Sequence, residues 1–502
     1  MMSDLKKELD NRKRCTENGA IGYVTTGKDL LDLNFKASSL RNMSDKEVAN
    51  LFFKAFYEDK LLAIKWLFFL RDREGMGERK SFRTIISALN KEHPEIVKEF
   101  ISLIPEYGRW DDLYCLMDGE LKHDVIDFIK NQFEKDIVNY QKKKPISLLA
   151  KWLPKESTKT YKDVYKVLLK ALKISPSTYR RITSTLRKYS NVLEVKMSAN
   201  EWDKIDYNIV PSKANLLYRN AFFKHDQFRR LEYLDSLKNG DTNVKINAKV
   251  LMPHEIVSKY DCDYSYYDDD ISGYDESLEQ LWKALPDYVN GEGFSMFVRD
   301  GSGSMCWRIG NSNVTCLDVS TALAIYFAEK CEGEYKNKFI TFSSHPEIID
   351  LSNCNSLQEK LNRCYREDDC SSTNIYKVFK LVLKTAVDNK YSQEQLPKNI
   401  IIASDMEFNY GCEFNETLFE KIKNEYESYG YKLPRLVFWN ICSRTNTIPL
   451  KENDNGIALV SGFSTSIMDM VLSGELDPYK CLVNKLNTDR YKPVEEAVKN
   501  IL

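Results

Sequence analysis

The chain has few residues that could build a zinc site. Its 502 residues include only five histidines, which are scattered, and its 12 cysteines contain no Cys-x-x-Cys pair. These spacings do not match those of structural zinc sites. Nor do 12 cysteines in so long a chain resemble the dense disulfide framework of a small secreted domain. We therefore expect reduced thiols and a cytoplasmic protein.

The chain also lacks a long hydrophobic run and a surplus of either charge. Its most apolar stretch, LLAIKWLFFL at 61–70, contains Lys65 and covers about half of a bilayer-spanning helix, so we expect a buried helix. The N-terminal MMSDLKKELDNRKRC has no apolar core and is not a signal peptide. The formal net charge is -1, so any nucleic-acid surface must be local. We expect a soluble protein that does not associate with membranes.

The N-terminal half is predicted to be helical. After an N-terminal extension at 1–45, residues 46–260 carry apolar residues at helical spacing, interrupted by Gly and Pro. The pattern indicates an α-helical repeat domain, a HEAT-like array of stacked pairs that could close into a ring. Beyond the segment at 46–72, helices are expected near 80–90, 94–103, 110–117, 121–139, 161–173, 177–188 and 213–237.

An acidic, tyrosine-rich connector follows at 261–290. Its first part, DCDYSYYDDDISGYDESLE at 261–279, has eight Asp/Glu, four Tyr and no Lys or Arg. A charge run of this kind is typical of an exposed inter-domain connector. A second interpretation is an acidic arm that covers a basic surface or competes for it.

The C-terminal part, residues 291–502, is predicted to be an α/β domain of the Rossmann-like kind. Strands alternating with helices indicate a mostly parallel sheet covered on both faces. Two of the apolar runs, KFITFS (338–343) and EIIDLS (347–352), are close enough in sequence to form a hairpin. The expected strands are FSMFVRD (294–300), KFITFS (338–343), EIIDLS (347–352), KNIIIASD (398–405), RLVFWNI (435–441) and GIALVSG (456–462). The expected helices are 317–332, 356–365, 373–388, 415–428 and 464–473.

Oxygen-bearing side chains follow three of these segments. Asp300 ends a strand and is followed by Ser302 and Ser304, Asp405 ends another strand, and Thr373 lies in a loop that opens a helix. Ligands of open α/β sheets bind beyond the carboxyl ends of the strands. Two carboxylates and three hydroxyls suit Mg²⁺ or Mn²⁺, and a partner's carboxylate could complete the coordination.

Simpler roles are also open to these residues. GSGS could be a linker, but a linker does not follow a buried strand. A P-loop would need a Lys, and a nucleophile elbow would need Gly-x-Ser-x-Gly. Thr373 could merely cap its helix, and Asp405 could do the same, with Glu407 or Asn409 more important.

The ordered set resembles the metal-ion-dependent adhesion site of von Willebrand factor A domains. The pattern there is Asp-x-Ser-x-Ser on the first strand-to-helix loop, a Thr on a later loop and an Asp after a further strand. Asp300, Ser302 and Ser304 match the first element, Thr373 the second and Asp405 the third. The resemblance implies a von Willebrand factor A domain over roughly 290–502 that binds Mg²⁺ and docks a protein partner through an acidic side chain.

A strongly basic segment lies in the helical half. Residues 142–188 contain 14 Lys/Arg and only two Asp/Glu, a local surplus of 12 positive charges, with Trp152, Tyr161, Tyr165 and Tyr179 among them. Cations neutralise phosphates and aromatic rings stack on unpaired bases. A solvated helix face is the alternative. The predicted RNA-binding residues are Lys142, Lys143, Lys144, Lys159, Lys162, Lys166, Lys170, Arg180, Arg181, Arg187 and Lys188, and YRNAFFKHDQFRR (218–230) could extend the surface.

Two further stretches, FFLRDREGMGER (68–79) and IPEYGRWDDLYCL (104–116), resemble the TROVE module of the Ro autoantigen family. That family pairs a ring of RNA-binding helical repeats with a von Willebrand A domain. The chain as a whole is closer to an uncharacterised family of the same layout, domain-of-unknown-function family 2828. The matching stretches are YRRITSTLRKYSNVLE (179–194), VPSKA (210–214), INAKVLMPHEIV (246–257), SDMEF (404–408), VFWNI (437–441) and ALVSGFS (458–464).

The resemblance implies a non-enzymatic protein that binds single-stranded or small structured RNA and docks a protein partner at a Mg²⁺ site, with no small-molecule substrate. A scaffold without a nucleic-acid role is the alternative. A metal-dependent hydrolase is a weaker hypothesis, because no general base is evident near the two Asp residues unless Glu407 serves.

Overall fold

The computed structural model describes residues 13–16, 21–260, 273–287, 289, 295–310, 312–366, 373–408, 416–445, 457–461 and 477–502. The chain divides into two compact units. The sheet unit contains residues 1–44, 53–59 and 248–487, and the helical unit contains 45–52, 60–247 and 488–502. Each unit is thus built from several separate segments of the chain, whereas the domains expected from the sequence were consecutive ranges.

The sheet unit is built on a six-stranded mixed sheet. A separate antiparallel ribbon precedes it, formed by β1 (Lys13–Cys15) and β2 (Ile21–Tyr23). The six strands are β3 (Ser295–Asp300), β4 (Lys338–Phe342), β5 (Ile348–Asp350), β6 (Asn399–Ser404), β7 (Arg435–Asn440) and β8 (Ile457–Ser461). Their order is β5-β4-β3-β6-β7-β8, and every pairing is parallel except the β4–β5 hairpin. All six predicted strands and the predicted hairpin are confirmed.

Helices cover the sheet, and the central strands are therefore buried along their whole length. Every residue of β3, β6 and β7 is buried, which explains why these strands are apolar runs rather than alternating patterns. The helix Cys316–Lys330, buried from Cys316 to Ala328, packs on β3. The other helices of the unit are Asp29–Phe35, Pro253–Val257, Glu276–Lys283, Leu357–Arg366, Ile375–Asp388, Glu416–Ser428 and Pro478–Leu486, with 3-10 turns at Ala37–Asn42, Gly303–Cys306, Gly333–Tyr335 and Gln393–Gln395.

Part of the predicted N-terminal extension is an integral piece of this unit. The Asn440 amide donates to the Phe35 carbonyl at 2.8 Å, and the Ser39 hydroxyl donates to the Ser443 carbonyl at 2.7 Å. These bonds attach the segment after helix Asp29–Phe35 to the end of β7. The predicted helix at 464–473 and residues 261–272 of the acidic connector lie outside the described residues.

The helical unit consists of short helices joined by tight turns. The helix Asp45–Glu58 begins in this unit and ends in the sheet unit. The other helices are Lys60–Arg71, Lys80–Glu92, Pro94–Glu99, Ile104–Tyr107, Lys122–Gln141, Leu149–Trp152, Lys162–Leu172, Pro176–Tyr189, Leu193–Ser198, Ser212–His225, Gln227–Lys238 and Lys492–Val498. The 3-10 turns are Ile101–Leu103, Trp110–Leu116, Lys159–Tyr161, Trp202–Lys204, Tyr207–Ile209 and Asp489–Tyr491.

The most apolar stretch of the chain is a buried helix, as predicted. In Lys60–Arg71 every residue from Ala63 to Arg71 is buried, and the Lys65 ammonium pairs with Glu495 of the same unit. That partner lets a lysine sit in an apolar helix. No helix in the described part of the chain is both long and apolar enough to cross a bilayer.

One predicted helix, 213–237, is wrong as a single element. The structure has two helices, Ser212–His225 and Gln227–Lys238, separated by Asp226 with φ -146° and ψ 44°. The Asp226 carboxylate accepts hydrogen bonds from the Tyr207 hydroxyl at 2.8 Å and from Arg229 at 2.9 Å. These two donors hold Asp226 outside the helical conformation, which periodicity alone does not reveal.

The GRWDDL stretch anchors a buried charge network in the helical unit. The Asp112 carboxylate, fully buried, accepts from Arg71 Nε at 2.7 Å, from Arg83 Nε at 2.7 Å and from the Arg109 backbone at 2.9 Å. Burial lowers the pKa of Arg71, and Asp112 opposes that shift. Asp112 is therefore the counter-charge of the buried Arg71, and it shares the half-buried Arg83 with Asp111, which lies 2.9 Å from the Arg83 guanidinium.

We expect Asp112→Asn to lower the free energy of unfolding by about 3 kcal/mol, since the buried Arg71 loses its counter-charge while the shape is kept. Urea denaturation followed by circular dichroism measures the change. The matched control is Asp203→Asn, an exposed carboxylate in the same unit, which should stay within about 0.5 kcal/mol of wild type. Equal stability of both variants would contradict the assignment.

Candidate metal centre and candidate nucleic-acid surface

The two predicted carboxylates lie at the same edge of the sheet. Asp300 is the last residue of β3, and Asp405 directly follows β6. These strands are hydrogen-bonded neighbours in parallel register, with Arg299 opposite Ala403. Their carboxyl ends therefore deliver both side chains to one place, as expected for the ligand-binding edge of an α/β sheet.

Burial makes this pair of carboxylates electrostatically unfavourable. Asp300 is 1% exposed and Asp405 is 2% exposed. Desolvation and, next to it, the neighbouring charge of Asp300 raise the pKa of Asp405 to about 7. Desolvation also raises the pKa of Asp300. Among the described residues, Arg444 forms a salt bridge with the pair, its Nη2 lying 3.3 Å from Asp405 Oδ2, and the charge of the buried Arg299 opposes the rise in the pKa of Asp300.

Hydroxyl groups surround the two carboxylates. Asp300 Oδ1 accepts from the Ser302 backbone at 3.0 Å, and the Ser302 and Ser304 hydroxyls lie 3.1 Å apart. The hydroxyls of Ser302 and Ser404 donate to Asp300, and that of Ser304 donates to Asp405. Four of the five predicted ligands are thus brought together.

Thr373, the fifth predicted ligand, is buried and carries an unused hydroxyl. Its Oγ1 has no hydrogen-bond partner among the described residues. The helix that follows is capped by Asn374, whose side chain accepts from Lys377 N at 3.0 Å. The alternative that Thr373 serves as that cap is therefore wrong. A buried hydroxyl without a partner is costly unless something else binds it.

This donor set fits a hard divalent cation. In the described part of the chain no three His, Cys, Asp or Glu side chains group into a site. Two carboxylates with three hydroxyls supply only oxygen atoms, which Mg²⁺ and Mn²⁺ prefer. The meeting of two buried carboxylates and the Thr373 hydroxyl, which has no partner among the described residues, are the two observations that a bound cation would explain.

Glu407 is the residue that could have served as a general base. Its carboxylate accepts hydrogen bonds from the loop after β7. Its Oε1 accepts from the backbones of Arg444 and Thr445, both at 2.9 Å, and from the Ser443 hydroxyl at 3.2 Å. The Thr445 hydroxyl also donates to it. Glu407 therefore fixes the loop after β7, which carries Arg444 toward Asp405.

A cavity of about 200 Å³ adjoins Asp405 and Ser304. The Arg444 guanidinium lies over the ring of Trp307 at 5.4 Å, and the Trp307 side chain is 63% exposed. The lining residues are Asn42, Ser304, Trp307, Arg308, Cys316, Asp405, Cys442 and Arg444. Three residues of this region were not predicted as site residues from the sequence: Ser404, Arg444 and Cys442. Each lies at or shortly after the end of β6 or β7.

The basic segment forms a largely exposed surface in the helical unit. Ten of the eleven predicted RNA-binding side chains are exposed. Arg187 is the exception, since its guanidinium donates to the carbonyls of Ala150 at 2.7 Å and Leu153 at 2.9 Å. Arg180 and Lys166 have exposed acidic neighbours, Glu156 at 2.8 Å and Asp163 at 3.4 Å. Exposed pairs of this kind are weak and leave a cation available to a stronger anion.

The aromatic residues beside this surface are not those that the sequence indicated. Tyr165 and Tyr179 are buried and pack edge to face, with ring centroids 5.4 Å apart. Trp152 is covered by the Arg109 guanidinium at 4.0 Å. The exposed pair is instead Tyr140 and Tyr189, each 38% exposed, with centroids 5.0 Å apart.

The second basic cluster, 218–230, contributes less charge to the surface than its composition suggests. Arg230 is fully buried and donates to Asn215. Arg229 donates to the carbonyls of Trp202 at 3.0 Å and Ile205 at 2.7 Å. Arg230 thus belongs to the interior, and the half-buried Arg229 is engaged by backbone carbonyls, so this segment adds little to the predicted surface through these two residues.

Comparison with known proteins finds two domains of unknown function. The Domain of unknown function DUF7788 matches residues 295–499, and the Domain of unknown function DUF2828 matches residues 154–294. The second match confirms the family predicted from the motifs over that range. The chain is also similar to Uncharacterized protein L728 of Acanthamoeba polyphaga mimivirus, with 30% identity over 527 aligned residues, covering 95% of this chain and 88% of that protein.

We expect Asp300→Asn, in the presence of a chelator, to raise the free energy of unfolding by about 1 kcal/mol, since it removes a buried charge that repels Asp405. Asparagine keeps an acceptor for the Ser302 backbone. Chemical denaturation measures the effect, with the exposed Glu420→Gln as the control. A loss of several kcal/mol would show that the Asp300 charge itself stabilises the fold.

Proposed function

This chain belongs to the same family as mimivirus protein L728, and we propose that it is a non-enzymatic RNA-binding protein. Its helical unit binds single-stranded or small structured RNA. Its sheet unit holds Mg²⁺ or Mn²⁺ at a docking site for a protein partner. The layout supports this proposal, since the helical unit and the mixed sheet resemble the TROVE repeats and von Willebrand A domain of the Ro family. By this resemblance the helices are HEAT-like and could close into a ring.

The observation that carries RNA binding is the exposed basic surface. Ten exposed cations come from a segment of 47 residues with a surplus of 12 positive charges, in a chain of net charge -1. A surface that only needed solvation would carry both signs. Phosphates are the anions that such a surface binds best, because each contact releases condensed counterions.

The end of this surface also has a place for unpaired bases. Lys142, Lys143 and Lys144 follow the helix that ends at Gln141, and Tyr140 lies just before them. The Tyr189 hydroxyl donates to the Lys144 carbonyl at 3.1 Å, which attaches the second exposed ring to the lysine turn. Proteins that bind single-stranded RNA commonly combine phosphate-binding cations with aromatic faces on which the bases stack.

At the sheet edge the cation would be held by Asp300, Ser302, Ser304, Thr373 and Asp405. The bound ion supplies a positive charge to which a carboxylate of a partner protein binds. The chain's own part is to position the two carboxylates by strand pairing and to hold Arg444 beside Asp405 through the loop that Glu407 fixes.

The absence of catalysis is part of the proposal. A metal-dependent hydrolase needs a base that can take a proton from water. Glu407 already accepts from two backbone amides and two hydroxyls, which leaves it poorly placed for that role. We therefore propose no small-molecule substrate, and a cytoplasmic location in keeping with nine free cysteines among the described residues.

The alternative is a protein-interaction scaffold without a nucleic-acid role. The observation in its favour is Trp307, a large side chain that is 63% exposed beside the cavity. Aromatic side chains are enriched at protein interfaces. Under this alternative the basic surface would bind acidic protein segments, so RNA affinity separates the two hypotheses.

We expect the triple variant Lys142→Glu, Lys143→Glu and Lys144→Glu to bind single-stranded RNA at least about tenfold more weakly than wild type. Loss of three phosphate contacts should also make the slope of log affinity against log salt concentration less negative by about 2. Fluorescence anisotropy of a labelled oligouridylate over a range of salt concentrations measures both.

The matched control reverses the charge of three exposed lysines of the sheet unit by Lys→Glu substitution, at Lys384, Lys390 and Lys398. Each triple includes one lysine with a left-handed backbone, Lys143 at φ 54° and Lys390 at φ 55°, so the two variants carry similar strain. Equal weakening in both would indicate a nonspecific charge effect. No binding by wild type at low salt would favour the scaffold.

We expect Mg²⁺ at about 100 times its Kd to add about 2.7 kcal/mol to the free energy of unfolding of the wild-type sheet unit. Asp405→Asn should abolish this gain, and Thr373→Val should reduce it, because valine keeps the shape but lacks the hydroxyl. Chemical denaturation with Mg²⁺ or with chelator measures the difference. In the control, Thr385→Val removes a hydroxyl that donates to the Leu381 carbonyl at 2.8 Å, and the full gain should remain.

A further inference from the structure

Two cysteine side chains meet in the cavity beside Asp405. Cys316 is the first residue of the helix Cys316–Lys330, and Cys442 follows β7 by two residues. Both are buried and neither is in a disulfide. The Cys316 thiol acts as hydrogen-bond donor to the Cys442 sulfur, and both side chains line the same cavity.

The environment gives the two thiols different reactivity. The bond from Cys316 lowers the pKa of Cys442, and the charge of Arg41 and the Asn42 amide, 3.4 Å from the sulfur, act in the same direction. Donating that bond raises the pKa of Cys316. The thiolate is the nucleophile, so Cys442 is the attacking sulfur and Cys316 is the second thiol.

Cys331, another thiol of the unit, lacks this arrangement. Cys331 is also buried, but its thiol is directed at the carbonyls of Ser295 and Glu332, each at 3.6 Å, and burial raises its pKa. A backbone carbonyl cannot resolve an oxidised sulfur, whereas a neighbouring thiol can. Cys331 is therefore a natural reference for the reactive pair.

A small oxidant has room to reach the pair. The cavity that both sulfur-bearing residues line has a volume of about 200 Å³. A water molecule takes up about 30 Å³ of liquid, so hydrogen peroxide fits. A larger oxidised thiol such as glutathione disulfide would have to enter past Trp307 and Arg444.

We propose that Cys442 and Cys316 form a peroxide-sensitive thiol pair that closes to a disulfide. The Cys442 thiolate attacks one peroxide oxygen, the O–O bond breaks, and the departing hydroxide takes a proton to leave as water. Cys442 is then a sulfenic acid. Cys316 loses its proton and attacks that sulfur, the S–O bond breaks, and a second water leaves. Two thiols are oxidised by two electrons in total, and one peroxide is reduced to two waters.

The disulfide would tie the loop after β7 to the start of a core helix. That loop carries Arg444, which pairs with Asp405, and it binds Glu407 through residues 443–445. Oxidation would thus fix the position of the counter-charge beside the two carboxylates. The chemistry of the pair itself requires neither RNA nor a cation, so it does not depend on the proposed function.

The test is a titration of the reduced full-length chain with hydrogen peroxide under native conditions. We expect intact mass to fall by two hydrogen atoms per chain, and non-reducing peptide mapping to find the Cys316–Cys442 cross-link. Dithiothreitol should restore the starting mass. Cys331→Ser should behave as wild type, whereas Cys316→Ser should leave Cys442 as a sulfenic acid that a dimedone probe traps.

Three outcomes would overturn the proposal. Cys442 could pair with another cysteine, such as the exposed Cys306. Peroxide could convert Cys442 to the sulfinic acid without a cross-link, or both thiols could remain reduced while exposed thiols such as Cys15 react. Since the wild-type peptide map decides among these results, the test holds even if a serine variant fails to fold.

Discussion

The parallel pairing of β3 with β6 is the constraint on which the sheet unit depends. It buries the most apolar strands of the chain, and it also brings Asp300 and Asp405 to one edge. Two desolvated carboxylates at the ends of neighbouring strands oppose each other's ionisation. Burial of the strands and the unfavourable electrostatics of the acidic pair therefore arise together, and Arg444 places a positive charge beside Asp405.

Much of the sheet unit could be predicted because its signal is local. Apolar runs of five or six residues give the strands, and a polar residue after each run marks the edge. Thr373 shows the limit of this reasoning. In CSSTN several adjacent residues can cap a helix, and only the structure shows that Asn374 does so. Arg444 lies 39 residues from Asp405, in a loop whose path depends on Glu407, and no spacing rule connects them.

The helical unit shows why a count of positive charges does not map a binding surface. The lysines of the basic segment that were predicted to bind RNA remain exposed, but several arginines have been used in the interior. Arg187 and Arg229 donate to backbone carbonyls, and Arg230 is fully buried. The planar guanidinium with five donors suits such bonds, whereas the strongly hydrated ammonium of lysine stays in water. The tyrosines divide likewise, since Tyr165 and Tyr179 complete the core while Tyr140 and Tyr189 stay partly exposed.

The near-zero net charge of the chain hides two opposite local imbalances. The basic segment of the helical unit carries many more cations than carboxylates, and the sheet unit brings two buried carboxylates together with Arg444 beside one of them. Both are therefore suited to negatively charged partners, the first directly and the second through a bound cation. The thiol pair adds a soft, oxidisable group beside the hard-oxygen site, on the same loop as Arg444. Because the loop's position sets how much of the Asp405 charge Arg444 balances, a bond that fixes this loop changes the electrostatics of the carboxylate pair without altering either carboxylate.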